Sequence, residues 1–110
     1  MKLPEDRFVE VNGLRLRYIE KGDGPPVIFL HGASLGSSAD VFIRNMDAFA
    51  HAGFRAIAFD QPGFGLSDTP QDHSVGFRRK SVPALCAALG LTTPALVAHS
   101  QAGTMAVQLA

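Results

Sequence analysis

The stretch ALVAHSQAGTMA, residues 95–106, carries the side chain best placed to act as a nucleophile. An apolar run breaks at Ser100, and small helix-forming residues follow it. A nucleophile at a corner where a strand turns directly into a helix has strained backbone geometry, and the residues two before and two after it must be small because they approach each other. Ala98 and Ala102 meet this requirement, and Gly103 follows. A serine between small residues at a helix start is most often a helix cap, so the pentapeptide alone favours that simpler role.

Two further segments with chemically useful side chains follow apolar runs. His31 and Gly32 come directly after VIFL, and DQPGFGLSD, residues 60–68, comes directly after FRAIAF. Uninterrupted apolar runs between turn residues are typical of strands that are buried on both faces of a parallel sheet. In an open α/β sheet, ligands bind beyond the carboxyl ends of the strands. We therefore expect the three segments to meet along one rim of a sheet.

The strands that would position this rim begin with a hairpin. Two alternating runs flank Asn12-Gly13, a dipeptide that accepts positive φ at both centres of a type I′ turn, and they predict a β-hairpin over Phe8–Glu20. The turn-rich KGDGPP separates the hairpin from the buried strands. Those strands are predicted at residues 27–32, 54–59 and 95–98.

Helices are predicted between and after the buried strands. The first has apolar residues at helical spacing and ends before Gly53. The second is expected to begin at Ser81 as its cap, to hold Pro83 in its first turn and to stop at Gly90. A third would begin at Gln101. Strands alternating with helices predict an α/β fold in which a parallel sheet is covered on both sides.

Composition argues against several classes of function. The 110 residues are 46% hydrophobic, which suits one small domain, and ten Lys plus Arg balance ten Asp plus Glu without a charged block, which argues against nucleic-acid binding. The N-terminus lacks a signal-peptide pattern, the apolar runs are too short for a bilayer, and the single Cys86 fits a reducing compartment, so we expect a soluble cytoplasmic protein. The histidines lack metal-ligand spacing, and Gly63 and Gly65 do not make a dinucleotide fingerprint. We therefore expect neither a metal nor a cofactor.

Taken together and in this order, HG after VIFL, D-x-P-G-x-G-x-S after FRAIAF and H-S-x-x-G after ALVA resemble the α/β-hydrolase family. The resemblance covers nearly the whole chain and implies a sheet of eight strands, of which this chain would supply the first five. It implies that Ser100 is the nucleophile and that the backbone N–H groups of Ala33 and Gln101 form the oxyanion hole. The supporting residues would be His31, which ties down the oxyanion loop, with Gly32 and Gly103.

The other titratable residues near the rim are weaker candidates. His99 precedes Ser100, and adjacent side chains at a strand end point apart, so we interpret His99 as a packing or orienting residue rather than the base. The resemblance gives Asp60 a role in loop architecture. The remaining side chains are expected to be surface or inert core residues: His51, His73 and Cys86.

The nucleophile type narrows the reaction. Family members that act on epoxide or carbon–halogen bonds typically have aspartate at this position, so Ser100 favours acyl chemistry on a small ester or related substrate. The segment RNMDAFAHAGFRAIAFDQPGFGLSD also resembles hydrolases that break carbon–carbon bonds in ring-cleavage products. Those enzymes usually have asparagine where this chain has His99 and Val41, so a general ester or amide hydrolase is the interpretation adopted.

The family's catalytic acid and histidine follow its serine in the chain, and QAGTMAVQLA, residues 101–110, contains neither. We therefore expect residues 1–110 to be a single partial domain: a fragment, a truncated product or one piece of a split protein. An exposed apolar edge on the last strand would favour self-association. The alternative to a serine hydrolase is a non-catalytic piece of the fold that works by binding or not at all.

Overall fold

The computed structural model of the chain describes residues 4–32, 38–71, 74–92 and 94–98. Five strands form one sheet: β1 (Arg7–Val11), β2 (Leu14–Lys21), β3 (Pro26–Leu30), β4 (Arg55–Phe59) and β5 (Ala95–Ala98). Their order across the sheet is β1-β2-β4-β3-β5. β2 pairs antiparallel with β1 and β4, whereas β3 lies parallel between β4 and β5. The α/β architecture expected from the sequence is confirmed.

The hairpin between β1 and β2 forms where the sequence predicts it. Asn12 has φ 51° and Gly13 has φ 80°, so both central residues of the turn lie in the left-handed region. Asparagine and glycine tolerate this region at little cost, and the resulting turn matches the twist of the two strands. Val11 therefore pairs with Leu14 directly across the turn.

Helices cover both faces of the sheet. A 3₁₀ turn (Ala39–Phe42) leads into α1 (Ile43–His51), and α2 (Val75–Leu89) follows β4. Alternate residues of β3 and β4 point to opposite faces, which makes two buried clusters. The cluster under α1 includes Val27, Phe29, Ala56, Ala58 and Met46. The cluster under α2 includes Ile28, Leu30, Ile57, Phe59 and Leu85.

The start of α2 differs from the sequence prediction. The helix begins at Val75 rather than at Ser81, because the Ser74 hydroxyl caps it by accepting a hydrogen bond from the Phe77 N–H at 3.1 Å. Pro83 lies inside the helix, on its exposed side, where no core contact is disturbed by the ring. Ser81 is buried, and its hydroxyl donates to the Arg78 carbonyl.

The end of α2 is as predicted, since Gly90 adopts φ 69° at its C-cap. The helix predicted from Gln101 lies outside the described residues. Within the described residues, no helix is long and apolar enough to cross a membrane.

Candidate active site

The carboxyl ends of three parallel strands lie side by side. β3 pairs with β4 on one side and with β5 on the other, and Leu30 is in register with Ala98. His31 and Gly32 follow β3 directly, and Asp60 follows β4. The rim predicted from the sequence therefore forms, as far as it is described. The other predicted site residues lie outside the described part of the chain: Ala33, His99, Ser100, Gln101 and Gly103.

His31 is a buried, neutral histidine with both ring nitrogens engaged. Its Nε2 accepts a hydrogen bond from the Gln61 backbone N–H at 3.0 Å, and its Nδ1 lies 2.7 Å from the Gly32 carbonyl oxygen. A backbone N–H can only donate and a carbonyl can only accept, so Nε2 is unprotonated and the proton is on Nδ1. Burial lowers the pKa of His31 below its usual 6.5, which favours this neutral form. His31 therefore holds the Gly32 carbonyl, and a role in tying down the residues that follow stays a prediction.

Gln61 makes a second link to His31. Its side-chain Nε2 donates to the His31 carbonyl at 2.8 Å, in addition to the backbone bond to the ring. The ring of Phe64 packs against the imidazole with the ring centroids 5.0 Å apart. The guanidinium of Arg78 lies 5.5 Å from the centre of the Phe64 ring. The loop after β4 thus covers and orients the residues that end β3.

Asp60 is fully buried and organises the loops around this rim. Its carboxylate accepts hydrogen bonds from the backbone N–H of Ala39 at 2.7 Å and of Leu66 at 2.8 Å. Gly65 lies so close that a Cβ there would be 2.1 Å from Oδ2 of Asp60, so a side chain at this position would clash with the carboxylate. Asp60 therefore has the architectural role that the family resemblance implies.

Arg17 is the cation of this network. Its buried guanidinium contacts the carboxylates of Asp6 at 2.7 Å, Asp40 at 2.9 Å and Asp60 at 3.4 Å. Burial by itself would lower the pKa of Arg17, but the hydrogen bonds to Asp40 and Asp6 and the negative charges of Asp60 and Asp40 together outweigh burial and raise that pKa. The hydrogen bond from Arg17 also lowers the pKa of Asp40. The arginine stays charged and joins β2 to the 3₁₀ turn and the loop after β4.

Ser67 completes the attachment of that loop to β2. Its hydroxyl donates to the Asp60 carbonyl at 2.6 Å and accepts from the Arg17 N–H at 2.8 Å. Asp68, the next residue, makes a similar link, since its carboxylate accepts from the Arg15 N–H at 2.9 Å. In the described ranges, no group of three or more His, Cys, Asp or Glu could hold a metal ion. The side chains of Asp60, Gln61 and Ser67 each bind a backbone group of the rim or of a segment beside it.

A family model described as the alpha/beta hydrolase fold matches residues 25–110. The chain belongs to the α/β-hydrolase fold family. Among its curated relatives, an epoxide hydrolase of Caballeronia sordidicola is 35% identical, and the alignment covers 89% of this chain and 30% of the relative. A 2-hydroxy-6-oxo-6-phenylhexa-2,4-dienoate hydrolase of Comamonas testosteroni is 35% identical over 92% of this chain and 36% of the relative.

The solved structures give the same family. The epoxide hydrolase VrEH1 of Vigna radiata has a TM-score of 0.87 and 32% identity, and the match covers 96% of this chain and 35% of that structure. The chain spans about a third of the length of these relatives. The five strands described above therefore form part of an α/β-hydrolase domain, as the sequence predicts.

Two residues of the α/β-hydrolase rim escaped the sequence analysis. Arg17 lies at a polar position in the alternating pattern of β2. The exposed Arg15 lies at an equivalent position, so no local pattern distinguishes the two arginines. Gln61 lies in the segment DQPGFGLSD, but at a position that the motif leaves variable.

Two residues that the sequence places away from the chemistry are also described. His51 is exposed, as predicted. Cys86 is half-buried beside the core, and burial raises the pKa of its thiol, which fits the inert role expected.

Proposed function

We propose that this chain carries the nucleophile and the oxyanion hole of a serine hydrolase that acts on a small ester or related acyl substrate. The observation that supports this most is the parallel pairing of Leu30 with Ala98. Neighbouring strands lie about 4.8 Å apart. Gly32 comes two residues after the paired Leu30, and Ser100 comes two residues after the paired Ala98. The pairing thus favours a short distance between Ser100 and the peptide that joins Gly32 to Ala33.

The hydrogen bond of His31 to the Gly32 carbonyl supports an oxyanion role for that peptide. In a trans peptide the C=O and the following N–H point in opposite directions. In this proposal, holding the Gly32 carbonyl against Nδ1 would turn the next N–H of the chain, that of Ala33, away from His31. In this proposal, the N–H groups of Ala33 and Gln101 donate to the oxyanion that develops when Ser100 attacks a carbonyl carbon.

The serine distinguishes acyl transfer from epoxide opening, although several similar proteins are epoxide hydrolases. A carboxylate that opens an epoxide forms an ester, and water can then cleave that ester at its carbonyl. A serine hydroxyl that opened an epoxide would form an alkyl ether, which has no carbonyl for water to attack. Turnover through Ser100 thus requires a substrate with a carbonyl group.

Ser100 also needs a general base. The histidine and the acid follow the serine in the family's chain order, and residues 101–110 contain neither residue type. The chain spans about a third of the length of its relatives, and in this proposal a region that corresponds to the rest of their length supplies both. The 110-residue chain by itself is then expected to lose most of the catalysis, on the order of a million-fold by analogy with triad removal.

The direct test is esterase activity of the protein in the longest form that its gene encodes. We expect hydrolysis of p-nitrophenyl acetate and labelling by a fluorophosphonate probe, and both are expected to vanish in Ser100→Ala. Thr92→Ala, which removes an exposed hydroxyl before the amino end of β5, at the other end of the strand from the rim, is the matched control and keeps both. Undiminished turnover in Ser100→Ala would refute the proposal, and the absence of turnover and labelling in the unaltered protein would favour a non-catalytic role.

Carbon–carbon bond hydrolysis is the second candidate, and the identity to the dienoate hydrolases favours it. Its substrate also carries a ketone for Ser100 to attack. The test is loss of the absorbance of the conjugated 2-hydroxy-6-oxo-6-phenylhexa-2,4-dienoate in the presence of the protein. Hydrolysis of simple esters without bleaching of the dienoate would leave the ester hydrolase as the function.

A further inference from the structure

Gln61 holds His31 from two sides. Its backbone N–H donates to the ring Nε2 at 3.0 Å, and its side-chain amide donates to the His31 carbonyl at 2.8 Å. Both residues are buried, and the two bonds join the residues that follow β3 and β4 across 30 positions of sequence. The backbone bond would form with any non-proline residue at position 61, whereas the bond to the carbonyl needs a side chain that can donate.

The orientation of the Gln61 amide follows from this bond. Only the NH₂ end can donate to a carbonyl, so Oε1 is the end that faces away from His31. Among the described residues, this Oε1 is the one buried side-chain nitrogen or oxygen without a hydrogen-bond partner. An apolar side chain of similar size would fill the position without burying an unpaired acceptor. The contribution specific to glutamine here is therefore the donor that it offers to His31.

We propose that Gln61 is a positioning residue for the oxyanion hole: by holding the backbone and the ring of His31, it sets the direction of the peptide between Gly32 and Ala33. The inference rests on the function proposed above. Two hydrogen bonds connect Gln61 to this peptide. The Gln61 amide binds the His31 carbonyl, and Nδ1 of His31 binds the Gly32 carbonyl. Gln61 itself does not have to touch the substrate.

Gln61→Glu is the informative variant because it keeps the size of the side chain and reverses its hydrogen-bonding character. An ionised carboxylate cannot donate to the His31 carbonyl and would repel it. Its negative charge would also favour the imidazolium form of His31, whose protonated Nε2 can no longer accept from the backbone N–H of residue 61. The other charged side chains that act on His31 are Asp60, which favours the imidazolium, and Arg78, which opposes it.

The first measurement is long-range ¹H–¹⁵N NMR of the histidine rings in the full chain. We expect a neutral His31 with the proton on Nδ1 at about pH 7, and a rise of one unit or more in the His31 pKa in Gln61→Glu. Gln71→Glu introduces the same charge at an exposed glutamine and is expected to leave His31 unchanged. A His31 ring that is unaffected by Gln61→Glu would overturn the inference.

The second measurement is ester hydrolysis by the longest encoded form of the protein. Gln61→Glu and the uncharged Gln61→Met are both expected to lower kcat about tenfold to hundredfold, because they misalign one oxyanion donor. KM should change by less than about threefold, because the donor acts on the transition state. If Gln61→Glu does not fold, Gln61→Met carries the test alone.

The two proposals fail in different ways. An unaltered protein whose turnover does not depend on Ser100 would refute the serine hydrolase, and this inference with it. The other result is that turnover depends on Ser100 while both Gln61 variants have the kcat of the unaltered protein. That result would refute the positioning role of Gln61 but not the serine hydrolase.

Discussion

At the scale of single residues, the rim uses buried polar side chains to orient the backbone. His31 and Asp60 bind peptide N–H and C=O groups through their side chains, and both are almost entirely shielded from solvent. Pairing stabilises polar groups buried in this way, because an unpaired one costs about 1–3 kcal/mol. The residues that directly follow β3 and β4, His31 and Asp60, are consequently fixed in place.

The buried neutral His31 is expected to make stability depend on pH. Because burial lowers its folded-state pKa below 6.5, the stabilisation is complete above that value and is lost as the pH falls from there towards the lowered pKa. Over that interval the unfolded chain takes up a proton that the folded chain does not. Urea unfolding between about pH 8 and about pH 5 should show a slope of up to about 1.4 kcal/mol per pH unit from this one group.

The control for this prediction is the exposed His51. His51→Gln should keep the slope, whereas His31→Gln should flatten it. An equal slope in the unaltered chain and in His31→Gln would contradict the assignment of the pH dependence to His31.

At the scale of elements, the sheet and its connections are joined by a few long-range polar contacts. Arg17 on β2 contacts Asp40 in the 3₁₀ turn and Asp60 after β4. Asp60 in turn accepts the N–H groups of Ala39 and Leu66. These bonds attach the segment before α1 and the loop after β4 to the same strand, β2. They therefore help to fix the backbone that borders the rim.

Replacing Arg17 should therefore loosen several elements together. Arg17→Met keeps much of the buried stem but leaves the fully buried Asp60 without a cation, and we expect unfolding to become easier by about 3 kcal/mol. Most of this loss is assigned to Asp60, because Asp6 and Asp40 are about half exposed and screened by solvent.

Arg15→Met is the matched substitution two residues earlier on the same strand. Arg15 is exposed and lies over the ring of Phe8 at 3.7 Å, so its loss should cost about 1 kcal/mol or less. Thermal or urea unfolding of both variants makes the comparison. Equal losses would show that the three carboxylates around Arg17 do not determine stability.

At the scale of the whole molecule, β1 and β5 are the two edge strands of the described sheet. β5 pairs with β3 on one side, and among the described strands none pairs with its other side. β5 is apolar and only partly buried. A strand of this kind offers unpaired N–H and C=O groups to another chain, and we propose self-association of the 110-residue chain through this edge.

A lysine on β5 should oppose that association. Ala95 is exposed at the start of β5, and Ala95→Lys adds charge to the edge without removing a core contact. We expect sedimentation velocity to show larger species for the unaltered chain as concentration rises, and fewer of them for Ala95→Lys. Ala87→Lys, at an exposed position of α2, should leave association unchanged, and a similar effect of both variants would point to net charge instead.

Local signals in the sequence determined most of the elements. Asn12-Gly13 defines the hairpin because few other dipeptides accept two positive φ angles. The apolar runs of β3 and β4 define buried strands because burial on both faces requires them. β5 forms where its apolar run predicts a strand, but it is only partly buried, so the prediction of a buried strand there is wrong. Gly90 ends α2 for an equally local reason. The predicted start of α2 at Ser81 is wrong, because the Ser74 cap and the core contacts of Val82 and Leu85 stabilise a longer helix that tolerates Pro83.

Only the tertiary structure decided which polar residues cooperate at the rim. Arg17 meets Asp60 across 43 positions, and Gln61 meets His31 across 30. No periodicity links such distant residues, because their contact depends on the order β2-β4-β3 and on the parallel register of β3 with β4. The sequence alone thus indicated the family and where its chemistry lies. How His31 is kept neutral and held in place follows from the sheet, which brings the ends of β3 and β4 together and excludes water from them.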